Sequence, residues 1–263
     1  MKRRNVLREK LKNGEPTIGT HAMSIWPGVV EMVGRSGTMD YLEFVGEYGP
    51  YDLHSLENFG RAVDLFDNMS AMMKIEQQPR TYLTVRAIGS GIQNVLFADI
   101  RDPDDAREAV RATRADTPKT GGIAGAGSRR DTGYGQDAPE DYVAQLEDAV
   151  VAFMIEKVEA VENLEEVLSV GGVDMVQFGP GDYSMSIGLT GQYDHPEVKR
   201  AEQFTIETAI KMGLAPRVEI EDYSEAAPYI EMGVKDFCIG TDLAVIHNYC
   251  KVQGAGLAKA LGI

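Results

Sequence analysis

Several short apolar runs in this sequence stop abruptly at a charged residue: Glu47, Lys74, Asp99, Glu156, Asp182, Glu219 and Asp242. Any one of these alone reads as a helix N-cap or a solvated loop charge. Glu156 and Asp182 carry more weight, because they close consecutive runs that begin at Val150 and Met175. Two carboxylates held side by side repel unless a cation joins them. With four His and two Cys in the chain, and only His21 at a comparable run end, an all-oxygen site for Mg²⁺, Mn²⁺ or Co²⁺ fits better than a zinc cage. Such an ion leaves positions that a 2-oxo acid fills through a carboxylate oxygen and its keto oxygen, and it stabilises the enolate formed when an adjacent C–C bond breaks. The segment Gly179 to Ser184, Gly-Pro-Gly-Asp-Tyr-Ser, follows the second run. Its Pro180–Gly181–Asp182 turn offers backbone N–H groups to a substrate carboxylate, the alternative being a plain turn with Asp182 as N-cap.

These residues need a scaffold, and the sequence repeats one unit that supplies it. An amphipathic helix pattern ends in Gly, a few residues pass, and a near-continuous apolar run begins, as in the stretches leading to Tyr41, Asn94, Met175 and Phe237. Gly tolerates the left-handed turn after a helix, and such runs read as strands buried on both faces. The strand candidates are 17–23, 41–46, 70–75, 94–99, 150–155, 174–179, 215–220 and 236–240. Asp102-Pro103 marks a helix start, with Asp102 as cap and Pro103 in the first turn, and Trp26-Pro27 marks another. Eight strands alternating with helices point to a single (β/α)₈ TIM barrel over residues 1–263, with an open doubly wound sheet as the runner-up. In a barrel the run-ending residues gather at one mouth. The interval before the fifth strand holds a Gly-rich insertion at about 117–140, expected to be functional or mobile.

Composition narrows the partners. The 263 residues carry 26 Lys+Arg against 41 Asp+Glu, a net charge of −15, which argues against nucleic acid or an anionic membrane as the main partner. Apolar residues make up 43% of the chain, enough for a sizeable core. No apolar stretch is long enough to span a membrane, and the basic start at Met1 lacks the apolar region of a signal peptide. Cys238 and Cys250 show no metal-ligand spacing, Cys238 reading as strand filler and Cys250 as helix core, so a cytoplasmic setting is expected.

The segments Gly46-Glu-Tyr-Gly-Pro50, Asp102 to Arg114, Glu156, Gly172 to Ser184 and His195-Pro-Glu-Val198 resemble, in the same order, the HpcH/HpaI family of metal-dependent class II aldolases. The resemblance implies a (β/α)₈ barrel, a metal held by Glu156 and Asp182, and pyruvate-like enolates as intermediates. It also implies a homo-oligomer, often a trimer of dimers, with the last helix exchanged between subunits. An aldehyde is the expected second substrate.

The chain departs from the family pattern at three points. Glu47-Tyr48-Gly49-Pro50 stands where the family has Glu-His-Ala-Pro, and the acidic partner of that His falls near Gly89. Lys74 replaces the arginine that polarises the keto oxygen. Ala124-Gly125 replaces the Arg-Gly of the long loop, with Arg129 and Arg130 close by. Lys74 still brings positive charge, without arginine's bidentate fork. Tyr48 is a candidate hydrogen-bond donor or proton carrier, against plain aromatic packing. His21 is a candidate base, against a structural histidine bonded to backbone. Trp26 is a candidate pocket wall, against packing under its loop. Two rival readings keep the barrel: decarboxylation of a 2-oxo acid or acyl-CoA cleavage as in citrate-lyase-type barrels, and a catalytically silent barrel that binds a metal and a small acid.

Overall fold

A computed structural model describes residues 3–263. The chain begins with helix α1 (Val6–Asn13) and strand β1 (Thr17–Ala22), then α2 (Pro27–Ser36), β2 (Tyr41–Val45), α3 (Leu53–Val63) and β3 (Ser70–Ile75). It continues through α4 (Arg80–Gly89), β4 (Asn94–Phe97), α5 (Pro103–Thr113), α6 (Pro139–Glu147) and β5 (Val151–Ile155). Two short helices follow, α7 (Val158–Glu162) and α8 (Leu164–Leu168), then β6 (Met175–Phe178), α9 (Pro180–Ser186), α10 (Pro196–Lys211) and β7 (Ala215–Ile220). The last elements are α11 (Ala226–Glu231), β8 (Asp236–Thr241) and α12 (Asp242–Leu261). The eight strands pair in parallel, in sequence order, and β8 returns to β1 to close the barrel. The sequence expectation of a (β/α)₈ barrel holds, and the open sheet is excluded.

The helix signals act as read. The Asp102 side chain accepts from the backbone N–H groups of Asp104 and Asp105, and Pro103 and Pro27 each open a helix. After α2, Gly37 takes φ +69°, a backbone conformation that costs a residue with a Cβ more than it costs Gly. A shell of apolar side chains, including Phe44, Phe59, Phe97, Phe153, Leu56 and Leu164, is buried between strands and helices. Each such side chain contributes roughly 1.5–3 kcal/mol of hydrophobic stabilisation. Inside the barrel, Tyr41, Met72, Leu96, Ala152, Met154 and Met175 pack together with Leu7 of α1. That helix plugs the amino-terminal end: Asn5 Nδ2 donates to Asn94 Oδ1 at 2.8 Å, and Arg8 Nη2 to Asp174 Oδ2 at 2.6 Å, both at the starts of strands.

The Gly-rich insertion can be placed here, and one expectation, for Cys250, changes. The Gly-rich insertion lies at this amino-terminal end, because it connects α5 to β5. Arg130 donates to the Ser90 carbonyl at 3.1 Å and pairs with Asp64, tying the insertion to the carboxyl ends of α4 and α3. Arg129 donates to the Tyr142 hydroxyl at 3.1 Å and lies over Gly89. Cys250 is exposed rather than core, because α12 buries none of its residues within the chain. Among the described residues no helix is long and apolar enough to cross a membrane.

Candidate active site

A cavity of about 450 Å³ opens at the carboxyl ends of the strands. Lys74 from β3, Glu156 after β5, and the Pro180–Gly181–Asp182 turn after β6 all line it, and Tyr48 reaches it from the loop after β2. The fold places them together because strand-end residues alternate inward and the following helix starts at once. Pro180 opens α9 with Gly179 in the cap position, so Asp182 is not the N-cap. The N–H groups of Gly181 and Asp182 fall in the first turn, where no helical carbonyl can accept from them.

The carboxylates are held by neighbours, of which the sequence reading singled out Asp99 as a run-ending charge and not Lys157. Glu156 Oε1 accepts from the Asp99 backbone N–H at 2.9 Å. Asp99 has φ +52°, a conformation rare for a residue with a side chain, and this bend turns its N–H toward Glu156. A Cβ at position 179 would lie 2.6 Å from Glu156 Oε2, so Gly179 is the residue that leaves room for the carboxylate. Lys157 bridges Asp99 Oδ1 at 2.8 Å and Asp182 Oδ1 at 2.7 Å. A charged residue directly after Glu156 was the only sequence signal for that bridge.

Lys74 is buried and its ammonium lies 2.6 Å from Glu47 Oε2. It donates to the Tyr48 hydroxyl at 3.4 Å and sits 4.9 Å from the centre of that ring. Burial works against its charge, but Glu156 and Glu47 outweigh it and raise its pKa. Burial likewise raises the Tyr48 phenol, against the pull of Lys74. Burial also pushes the Glu156 carboxyl up to about 7, opposed by Lys74 and the Asp99 N–H and reinforced by Asp182. A half-compensated buried carboxyl beside a second one is the setting that a bound cation relieves. Among the described residues no group of three or more His, Cys, Asp or Glu is placed to hold a metal ion by itself. The donor set therefore suits a hard, oxygen-preferring divalent ion that takes its remaining oxygens from water or substrate.

The other sequence candidates fall elsewhere. His21 is buried in the barrel wall, with Nε2 3.3 Å from Arg217 Nη2 and 3.4 Å from Glu43 Oε1, and it does not line the cavity. Its partners are side chains, not backbone. Trp26 is 68% exposed, folds over Gly28, and borders a separate groove with Pro50 and Asn58. None of residues 117–140 lines the cavity, so Arg129 and Arg130 are remote from it within one chain. Glu43 and Arg217 were not among the sequence candidates, since a charge within β2 or β7 reads as a residue facing out of the barrel. They pair at 2.7 Å with both side chains fully buried. Burial raises the Glu43 carboxyl, but Arg217, His21 and Lys74 bring it down to about 2.

Comparison with known proteins gives the chain's family. Residues 64–247 match the model of the family described as HpcH/HpaI aldolase/citrate lyase. A protein of Shigella boydii serotype 18 named 4-hydroxy-2-oxo-heptane-1,7-dioate aldolase is 30% identical over 257 residues, covering 95% of this chain and 94% of that one. Its counterpart in Klebsiella pneumoniae is 29% identical, covering 95% and 93%. The crystal structure of a family protein from Burkholderia cenocepacia J2315 shares the fold with a TM-score of 0.88 at 24% identity, covering 97% of this chain and 99% of that one. The chain belongs to the HpcH/HpaI aldolase/citrate lyase family.

Proposed function

We propose that this lyase makes or breaks a carbon–carbon bond next to a 2-oxo acid, with Glu156 and Asp182 holding a divalent metal ion. The observation that carries the reading is the convergence of Glu156, Asp182 and Lys74 on one cavity at the carboxyl ends of β5, β6 and β3. A divalent ion there supplies electrostatic stabilisation for negative charge on the keto oxygen of a pyruvate-like acid. The N–H groups of Gly181 and Asp182 bind the acid's carboxylate. Lys74 stays charged, so it stabilises an oxyanion rather than acting as a base. Tyr48 keeps its proton and donates a hydrogen bond beside Lys74. Glu47 holds Lys74 in place.

The names of the curated relatives support an aldolase acting on a 2-oxo acid, with an aldehyde as the second product or substrate. Helix α12 supports assembly with other copies of the chain. Leu243, Ile246, Tyr249 and Val252 along it are each more than half exposed, an apolar surface that a neighbouring subunit covers in an oligomer with exchanged helices.

The test is exchange of the pyruvate methyl protons in D₂O with Mg²⁺, Mn²⁺ or Co²⁺, followed by NMR. The expected result is metal-dependent exchange that falls by about a hundredfold or more in Glu156→Gln, from loss of several kcal/mol of charge stabilisation. Unchanged exchange in that variant, or none with any metal, removes the reading.

A further inference from the structure

Each of the two carboxylates at the cavity has one oxygen already engaged by the protein. Glu156 Oε1 accepts from the Asp99 backbone N–H at 2.9 Å, and Asp182 Oδ1 accepts from the Lys157 ammonium at 2.7 Å. That leaves Glu156 Oε2 and Asp182 Oδ2. Glu156 Oε2 lies beside the turn that carries Asp182, since a Cβ added at Gly179 would stand 2.6 Å from it.

Both restraints trace back to Asp99, at the end of β4. Its N–H holds Glu156, and its carboxylate holds Lys157, whose ammonium lies 2.8 Å from Oδ1. Arg101 comes no closer to Asp99 than 3.9 Å, so Lys157 is the nearer cation. Neither Asp99 nor Lys157 lines the cavity, and any effect they have on a bound ion passes through Glu156 and Asp182.

One oxygen per carboxylate suits some ions better than others. Mg²⁺ and Mn²⁺ accept single oxygens in an octahedron completed by water or substrate, whereas Ca²⁺ gathers more oxygens and often takes both from one carboxylate. Charge favours a divalent ion as well. Three carboxylates and one ammonium, all ionised, leave two negative charges for it to balance.

Resting on the metal-site reading above, we propose that Asp99 and Lys157 are positioning residues that restrict Glu156 and Asp182 to one oxygen each and so bias the site against Ca²⁺. Lys157 withholds the second oxygen of Asp182. Asp99 neutralises Lys157, which would otherwise repel the ion.

The test is calorimetric titration of Mn²⁺ and of Ca²⁺ into the full-length protein and its folded Lys157→Met, Lys157→Arg and Asp99→Asn variants. The unaltered protein should bind Mn²⁺ at least about tenfold more tightly than Ca²⁺. Lys157→Met frees Asp182 Oδ1 and should lower that ratio by about tenfold, while Lys157→Arg keeps a cation between the carboxylates and should retain it. In Asp99→Asn, the Asn tolerates the backbone at φ +52° and keeps the N–H for Glu156. It leaves Lys157 unneutralised and should weaken both ions by about tenfold with the ratio unchanged. A ratio unmoved in Lys157→Met, one that falls as far in Lys157→Arg, or Ca²⁺ bound as tightly as Mn²⁺ by the unaltered protein overturns this inference alone. Absence of Mn²⁺ heat in the unaltered protein overturns the parent reading, and this one falls with it.

Discussion

Strands β3 to β6 fill their side of the barrel interior with Met72, Leu96, Ala152, Met154 and Met175, and keep their ionisable groups for the carboxyl ends. Strands β7, β8, β1 and β2 instead bury Arg217, Asp236, His21, Glu43 and Tyr41 among themselves. The apolar half gathers Lys74, Glu156 and Asp182 at the mouth, where Lys74 pairs with Glu47, Asp182 pairs with Lys157, and Glu156 accepts from the Asp99 N–H. The polar half neutralises its charges internally, Glu43 against Arg217 at 2.7 Å. Removing two charges from water costs several kcal/mol per ion, so that pairing offsets its own cost rather than adding stability. One half sets its charges at the cavity, and the other encloses them in the barrel.

This contrast is sharpest at Glu43. Replacing it with Leu strands Arg217 in the interior and should lower unfolding free energy by about 3–5 kcal/mol, while Glu43→Leu with Arg217→Met should recover most of the loss. Urea unfolding of both variants checks this; equal losses would mean that the pair does not act as a unit. On the other half, Lys74→Met should cut pyruvate methyl exchange per folded molecule by about a hundredfold, through loss of charge at the keto oxygen. A variant that unfolds early with exchange per folded molecule intact would make Lys74 structural.

Asp236 gives the smallest effect. Burial pushes its carboxyl up to about 6, against the Thr17 hydroxyl that donates to it at 2.6 Å. Folding therefore favours the protonated acid. Its contribution is fully present below the unfolded value of 3.8 and is lost as pH rises through about 6. A shift of roughly two units corresponds to about 3 kcal/mol at most. Asp236→Asn keeps an acceptor for Thr17 and should raise stability at pH 7 by about 1–3 kcal/mol, with little change at pH 4. Gains of equal size at both pH values would contradict that origin.

The two halves also differ in how far the sequence discloses them. Most strands could be read because a helix-ending Gly precedes them and a polar stop follows, while β3 and β5 follow Asp64 and Asp148 and were read from the apolar run and its stop. Lys74, Glu156 and Asp182 could be read because they are those stops. Glu43 and Arg217 could not, since a charge within Tyr41–Val45 or Ala215–Ile220 reads as a facing-out residue until barrel closure turns it inward. His21 and Trp26 illustrate the same limit, because a strand end fixes depth but not which wall a ring meets. The Gly-rich insertion was placed by composition alone, and its attachment through Arg130 to Asp64 and Ser90 depends on tertiary contacts that composition does not encode.

The central claim is that Glu156 and Asp182, at the mouth of the apolar half, bind a divalent cation. Calorimetric titration of Mn²⁺ into the protein, beside Glu156→Gln and Asp182→Asn, tests it most directly. The account predicts one saturable site per chain in the unaltered protein and loss of that heat in both variants. The same heat in all three proteins would contradict it.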